Sequence, residues 1–90
     1  MSGVEFKVAA VSSNRNSFGL KGVVLIARGG RAFQVGASDL HVPKVGDVIT
    51  IPFIELEGKP VLNFAALCFE IPEELNPPAP PSVVKEVWGR

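Results

Sequence analysis

Apolar residues along this chain recur in short runs, several of which alternate with polar residues in the period of a β-strand. Residues 4–8, Val-Glu-Phe-Lys-Val, are the clearest example, because their apolar side chains would all lie on one face of a strand. A pair of further β-prone runs lies within residues 22–36, and single runs lie at residues 48–53 and 61–71. The pattern predicts five short strands and no helix of ordinary length.

The run at residues 22–36 predicts a hairpin whose two strands meet at Gly29-Gly30. Two adjacent glycines readily take the positive φ angles of a two-residue turn. Such a turn would place Arg28 opposite Arg31 at its tip. Like charges directly opposite each other weaken a sheet, so the pair indicates an anionic ligand at the tip. The alternative is that both side chains extend into water.

The same register places Ile26 opposite Phe33 and Val24 opposite Val35 on one apolar face, which we assign to the core. Five short strands separated by turns are typical of a small antiparallel all-β barrel. By strand count, the five-stranded oligonucleotide-binding (OB) barrel is the best match, and an SH3-like barrel is the alternative. The predicted barrel domain covers residues 1–75.

A proline-rich spacer and an apolar C-terminal arm occupy residues 76–90. The spacer begins Asn-Pro-Pro-Ala-Pro-Pro, a composition that favours a stiff polyproline II conformation. A stiff spacer would hold the arm away from the end of the fifth predicted strand and let it reach a second subunit. Val84, Val87 and Trp88 would then be the anchors of a homodimer or a larger oligomer. The alternative is a frayed tail.

Composition narrows the functional classes. Apolar residues make up 47% of the chain and charged residues 20%, as in folded globular proteins. No run approaches the roughly 20 apolar residues of a membrane helix, and the N-terminus has no signal-peptide core. The single cysteine excludes an internal disulfide. We therefore expect a cytoplasmic protein with no membrane partner.

The net charge is zero, but the charges are divided unevenly along the chain. Residues 1–44 hold six basic and two acidic residues, a net charge of +4, whereas residues 45–90 hold three basic and seven acidic residues, a net charge of −4. An excess of basic residues in one half indicates an anionic partner. The alternative is that the two halves attract each other, within the fold or between subunits.

Catalytic and metal chemistry find little support. His41 is expected at the surface, and Cys68 lies in an apolar run, where a small core residue is more common than a nucleophile. No spacing of metal ligands occurs, and Gly29-Gly30 lacks the following helix of a phosphate-binding loop. We expect no enzyme activity, no cofactor and no metal.

Nucleic-acid binding finds more support. Proteins that bind single strands combine basic side chains with aromatic faces on which bases stack. Phe18 has polar neighbours and lies close to Arg15 and Lys21, an unusual place for a purely structural Phe, although burial in the core is the alternative. The candidate nucleic-acid contacts are Lys7, Arg15, Phe18, Lys21, Arg28 and Arg31.

These features resemble the helix-destabilising, single-stranded-DNA-binding proteins of filamentous phages. The likeness rests on Val-Glu-Phe-Lys at residues 4–7, on a basic-x-x-aromatic-x-Leu pattern at residues 15–20 and on Gly-Arg-Ala-Phe at residues 30–33. It extends in length and strand succession to about residue 75. The resemblance implies a compact barrel that forms dimers and coats single-stranded DNA.

Residue by residue, the resemblance implies that Arg15 and Phe18 contact DNA. It also implies DNA near Phe33, in conflict with the core position assigned to that residue above. The leading hypothesis is a non-catalytic, sequence-tolerant single-stranded-DNA-binding protein of a phage or a bacterial mobile element. The alternative is a protein-interaction or assembly module whose arm docks on a partner's barrel. A basic groove opposite an acidic face would favour the first hypothesis, and scattered charges the second.

Overall fold

One antiparallel sheet of six strands, in the order β5-β4-β1-β2-β3-β6, forms the body of the protein. The computed structural model describes residues 3–89. Its elements are β1 (Gly3–Arg15), β2 (Lys21–Ala27), β3 (Ala32–Ala37), β4 (Val48–Leu56), β5 (Lys59–Leu62), a 3₁₀ segment (Phe64–Leu67), β6 (Phe69–Glu74) and the helix α1 (Pro81–Trp88).

Strand β1 lies in the middle of the sheet and pairs with a neighbouring strand on each side. It pairs with β2 along much of its length and with β4 from Gly3 to Lys7. Strands β1, β2 and β3 form successive hairpins, and β4 returns to the other side of β1, which is the strand order of a Greek key. The β1–β2 register shifts between Val8 and Ala10, and such bulges bend a strand. The sheet curls into a half-barrel.

The concave face of the half-barrel holds an aromatic core. Phe6 of β1 packs edge-to-face on Phe33 of β3, with ring centroids 5.7 Å apart, and Phe64 of the 3₁₀ segment lies 5.0 Å from Phe33. The alternation predicted for β1 is confirmed, since Phe6 and Val8 are buried whereas Glu5 is exposed. The other buried members of the core are Val23, Leu25, Ala27, Val35, Ala37, Ile51 and Phe69.

The predicted five-strand count is wrong, because residues 61–71 do not form one strand. The backbone N–H of Asn63 donates to the Pro52 carbonyl at 2.7 Å, and the chain then turns through the 3₁₀ segment. Cys68 ends that segment in the left-handed conformation, with φ of 61°. The following strand, β6, pairs with β3 on the opposite edge of the sheet. Cys68 is exposed at this turn, so its predicted core position is also wrong.

The hairpin between β2 and β3 has a longer loop than the predicted two-residue turn. The Gly30 N–H donates to the Ala27 carbonyl at 3.0 Å, and the Ala27 N–H donates to the Arg31 carbonyl at 2.9 Å. Among the loop residues, Gly30 has a positive φ, of 98°, and Gly29 does not. This is the three-residue loop in which a type I turn is followed by a left-handed residue. Arg28 therefore lies within the loop and not opposite Arg31.

The longer loop moves every cross-strand partner by one residue. Leu25, not Ile26, lies opposite Phe33, and Val23 lies opposite Val35. The predicted core position of Phe33 is confirmed, since its side chain is 7% exposed, but Ile26 belongs to the outer face of the sheet. A shift of one residue reverses the face of a whole strand, which explains the error for β2.

The C-terminal segment contains a helix that the sequence analysis did not predict. Helix α1 begins at Pro81, a residue whose fixed φ suits a first helical position. None of the helices described within residues 3–89 is both long and apolar enough to cross a membrane. The arm lies on its own sheet, since the Ala79 N–H donates to the Gly30 carbonyl at 3.0 Å and α1 contacts β1 and β2. In this chain the arm therefore docks on β1 and β2, and its predicted docking on a second subunit stays a prediction.

Phe6→Ala should lower the free energy of unfolding by about 3–5 kcal/mol, because it empties a fully buried part of the aromatic core. Phe18→Ala is the matched control. It removes the same atoms from a side chain that is 72% exposed, so the free energy of unfolding should change by no more than about 0.5 kcal/mol. Urea unfolding followed by circular dichroism measures both values. Equal losses in the two variants would contradict a surface position for Phe18.

Candidate nucleic-acid interface

The loop between β1 and β2 holds Phe18 in an exposed position. The Asn16 side-chain oxygen accepts hydrogen bonds from the backbone N–H groups of Phe18, at 2.8 Å, and of Leu20, at 3.0 Å. The Asn16 backbone N–H donates to the Leu20 carbonyl at 2.8 Å, and the Gly19 N–H donates to the Asn16 carbonyl at 3.0 Å. Asparagine commonly organises turns in this way. The loop is thus ordered by its own hydrogen bonds, and Phe18 is not a core residue.

Arg15 is fixed beside this loop by two acceptors. Its guanidinium donates to the Gly19 carbonyl at 3.0 Å and to the Asp39 carboxylate. The hydrogen bond from Arg15 holds the pKa of Asp39 below its usual value, and the positive charges of Arg15 and Lys21 act in the same direction. The same pairing with Asp39 raises the pKa of Arg15. Both side chains are exposed, so the guanidinium is oriented while it stays accessible from solvent.

A polar groove of about 280 Å³ adjoins Arg15 and the loop on the outer face of the sheet. Gly22 and Gly36 are directly paired across β2 and β3 and contribute no side chains to it. A Cβ at Gly36 would lie 2.8 Å from Leu20 Cδ1, so a larger residue would displace the side chain beneath the loop. The groove lining includes the polar side chains of Ser12, Asn14, Arg15, Asn16, Gln34 and Glu73.

At the other end of β2, Lys7 and Arg28 both contact Trp88. The Arg28 guanidinium carbon lies 4.1 Å from the centroid of the Trp88 ring, and the Lys7 ammonium lies 5.0 Å from it. The indole N–H donates to the Ile26 carbonyl at 2.9 Å. These are cation–π contacts of ordinary geometry. Trp88 thus joins two predicted nucleic-acid contacts to the predicted arm.

Arg31 has partners of its own beside the same hairpin. Its guanidinium carbon lies 5.1 Å from the centroid of the Phe33 ring, and its Nε lies 3.7 Å from a carboxylate oxygen of Glu74. Arg28 and Arg31 therefore do not form the predicted pair of adjacent charges. Phe33 is buried beneath Arg31, so its ring has no exposed face for a base, contrary to what the resemblance implied.

The six predicted contacts fall into two groups at opposite ends of β2. The first group lies near the first residue of β2 and consists of Arg15, Phe18 and Lys21. The second group lies near the last residue of β2 and includes Lys7 and Arg28. Seven residues of strand at roughly 3.3 Å each separate the two groups by about 20 Å. Arg31 belongs to the second group.

The sequence analysis missed two parts of this surface. The contact of Trp88 with Lys7 and Arg28 joins residues at least 60 positions apart, and no local spacing indicates such a contact. The polar groove was not predicted either. Gly22 and Gly36 within β-prone runs were a signal of it, because glycine inside a strand often marks a site where a ligand or another backbone approaches closely.

Acidic residues lie on both sides of the sheet, so the charges do not separate into a basic and an acidic face. Glu73 lines the same groove as Arg15, and Glu74 lies beside Arg31. Glu55 and Glu57 are on the distant hairpin of β4 and β5. This mixed placement gives the assembly hypothesis support alongside the nucleic-acid hypothesis.

Other candidate chemistry is sparse in the described residues. His41 is exposed as predicted, and its Nδ1 lies 3.0 Å from the Ser38 hydroxyl. Within residues 3–89, no group of three or more His, Cys, Asp or Glu side chains is arranged to hold a metal ion. Within the described residues, the candidate contacts are therefore the two groups at the ends of β2, with the polar groove of the outer face beside the first group.

Comparisons with protein-family models, with curated proteins and with solved structures found no match to this chain. The resemblance to phage single-stranded-DNA-binding proteins stays a prediction. Evidence for a function therefore comes from the geometry of the outer face.

Asp39 should titrate below the ordinary aspartate value of about 3.9, because Arg15 stabilises its charged form. Its contribution to stability is then fully present above the unfolded pKa and is lost as the pH falls through the folded pKa. Arg15→Met should raise the pKa of Asp39, and Lys21→Met should raise it less. Carboxyl-detected NMR titration measures both. An Asp39 pKa that is identical in wild type and Arg15→Met would contradict the pairing.

Proposed function

We propose that this protein is a non-catalytic, sequence-tolerant single-stranded-DNA-binding protein that uses the outer face of β1, β2 and β3. The observation that carries the proposal is the exposed ring of Phe18, held by the Asn16 turn beside the oriented guanidinium of Arg15. A single exposed apolar side chain is ordinary on a protein surface, so the support lies in the surroundings of this one. The loop ordered by Asn16 presents an open aromatic face beside the basic side chains of Arg15 and Lys21, as base stacking with phosphate contact requires.

The chemistry of the surface suits a single strand better than a duplex. A base can stack on the ring of Phe18 while Arg15 and Lys21 neutralise neighbouring phosphates. The hydroxyl and amide groups of Ser12 and Gln34 in the adjoining groove can bond sugar and phosphate oxygens without selecting a base. This division of roles gives binding that tolerates different sequences.

The strand order supports a finer assignment of the fold within this proposal. A Greek-key sheet in which a long β1 is shared by β2 and β4 is compatible with the five-stranded OB type of barrel, with one of the six strands and the arm as additions. We also propose an origin in a phage or mobile element and a cytoplasmic location, as predicted from the sequence.

Fluorescence anisotropy with a labelled 15-nucleotide strand tests the proposal. The logarithm of affinity should fall linearly with the logarithm of salt concentration, with a slope of about −0.7 per phosphate contacted. Phe18→Ala should weaken binding by about 1–3 kcal/mol with little change in stability, because it removes a stacking platform. Val45→Ala is the control, since it trims an exposed apolar side chain of the β3–β4 loop.

Charge can be tested separately in the same assay. Replacing Arg15 and Lys21 together by Ala should flatten the salt slope by about one to two units. Absence of binding at low salt, or binding that salt does not affect, would remove the support for this function. Equal losses in Phe18→Ala and Val45→Ala would remove Phe18 from the interface.

A second candidate function, assembly of the protein with copies of itself, is favoured by an apolar groove of about 450 Å³. The groove lies between the β4–β5 hairpin and β6, and its exposed side chains include Ile54, Leu56, Val61 and Ile71. Among residues 3–89, one ion pair, Arg31–Glu74, joins the basic and acidic halves of the chain. Most opposite charges therefore remain to attract a second copy.

Ile54→Asp should lower the molar mass measured by light scattering if this groove is the contact between copies, because a buried carboxylate disfavours association. Leu40→Asp adds the same charge at a side chain that is 90% exposed on another loop, and it should leave the mass unchanged. A wild-type protein that is monomeric throughout a dilution series would rule out this function.

A further inference from the structure

The indole ring of Trp88 is bound in a slot made by three groups of the sheet and its hairpin. The Arg28 guanidinium lies 4.1 Å from the ring centroid, the Lys7 ammonium lies 5.0 Å from it, and the Ile26 carbonyl accepts the indole N–H at 2.9 Å. The slot thus offers positive charge to the ring and a hydrogen-bond acceptor to its edge. It recognises a flat aromatic ring that carries an N–H donor.

A nucleobase has the same two properties. Every base presents a π face to a cation, and unpaired bases carry N–H donors on their edges. Lys7 and Arg28 are also among the nucleic-acid contacts predicted from the sequence, yet Trp88 lies against them here. One ligand-binding surface therefore has two candidate occupants, the chain's own indole and a base.

We propose that the slot formed by Lys7, Arg28 and the Ile26 carbonyl is a nucleobase-binding subsite, which Trp88 fills until a single strand displaces it. The inference rests on the proposed function and adds a second base position, about 20 Å from Phe18 along β2. The ligand class is a base within a single-stranded oligonucleotide.

The docking of the arm is suited to displacement. Helix α1 has eight residues and none of them is fully buried; its apolar side chains, Val83, Val84, Val87 and Trp88, are half-buried. A helix of this length is not stable in isolation, and its release therefore frees the whole arm. A cavity of about 360 Å³ also lies between the hairpin tip and the arm, lined by Arg28, Gly30, Val84 and Trp88 among others.

The first experiment compares wild type with Trp88→Ala in the anisotropy assay, with Ser82→Ala as a control on an exposed position of α1. If Trp88 fills the slot nine-tenths of the time, opening it should tighten binding of a 15-nucleotide strand about tenfold. For an abasic strand of equal length and charge, Trp88→Ala should raise the affinity by less than about twofold, because phosphates do not need the slot. Ser82→Ala should bind like wild type.

The second experiment needs no variant, because Trp88 is the single tryptophan of the chain. Saturation of the wild-type protein with the 15-nucleotide strand should shift the indole emission to the red and increase its quenching by acrylamide. The abasic strand should leave both unchanged. This readout remains available even if Trp88→Ala fails to fold.

The outcomes separate the subsite from the function on which it rests. Tight binding with the same affinity in wild type and Trp88→Ala, and with unchanged emission, would overturn the subsite and leave the proposed function standing. Weaker binding in Trp88→Ala would also overturn it, since Trp88 would then be a contact and not a competitor. No binding by either protein would overturn the proposed function itself.

Discussion

The packing of Phe6, Phe33 and Phe64 is the interaction on which the rest of the structure depends. It joins the central strand β1, strand β3 and the 3₁₀ segment that carries the chain from one edge of the sheet to the other. The three rings lie within a single core of eleven buried residues, the one on which a domain of this size relies. Because the core is gathered on the concave side, the outer face of β1, β2 and β3 carries the polar groove and the docked helix α1.

That outer face is organised by β2, whose ends carry different chemistry. The first residue of β2 follows the loop with Phe18, and the last precedes the hairpin with Arg28. A paired strand in the middle of a sheet does not change its length, so β2 sets the distance between the loop that carries Phe18 and the hairpin that carries Arg28.

Sequence alone predicted the features that depend on local pattern. The alternation at residues 4–8 gave the buried Phe6, and the polar surroundings of Phe18 indicated its exposure. The register of the central hairpin was mispredicted because Gly29-Gly30 suits both a two-residue and a three-residue loop, and the choice depends on one φ angle. The division of residues 61–71 and the docking of Trp88 depend on contacts between distant segments, which periodicity does not encode.

Gly30 connects the hairpin to the arm in a way that restricts both. Its positive φ closes the loop, its carbonyl accepts the Ala79 N–H, and a Cβ at this position would lie 3.2 Å from the Ala79 carbonyl oxygen. Any other L-amino acid would strain the turn and also press against the arm. A change at Gly30 is therefore also a change at the spacer, although the two segments lie far apart in the chain.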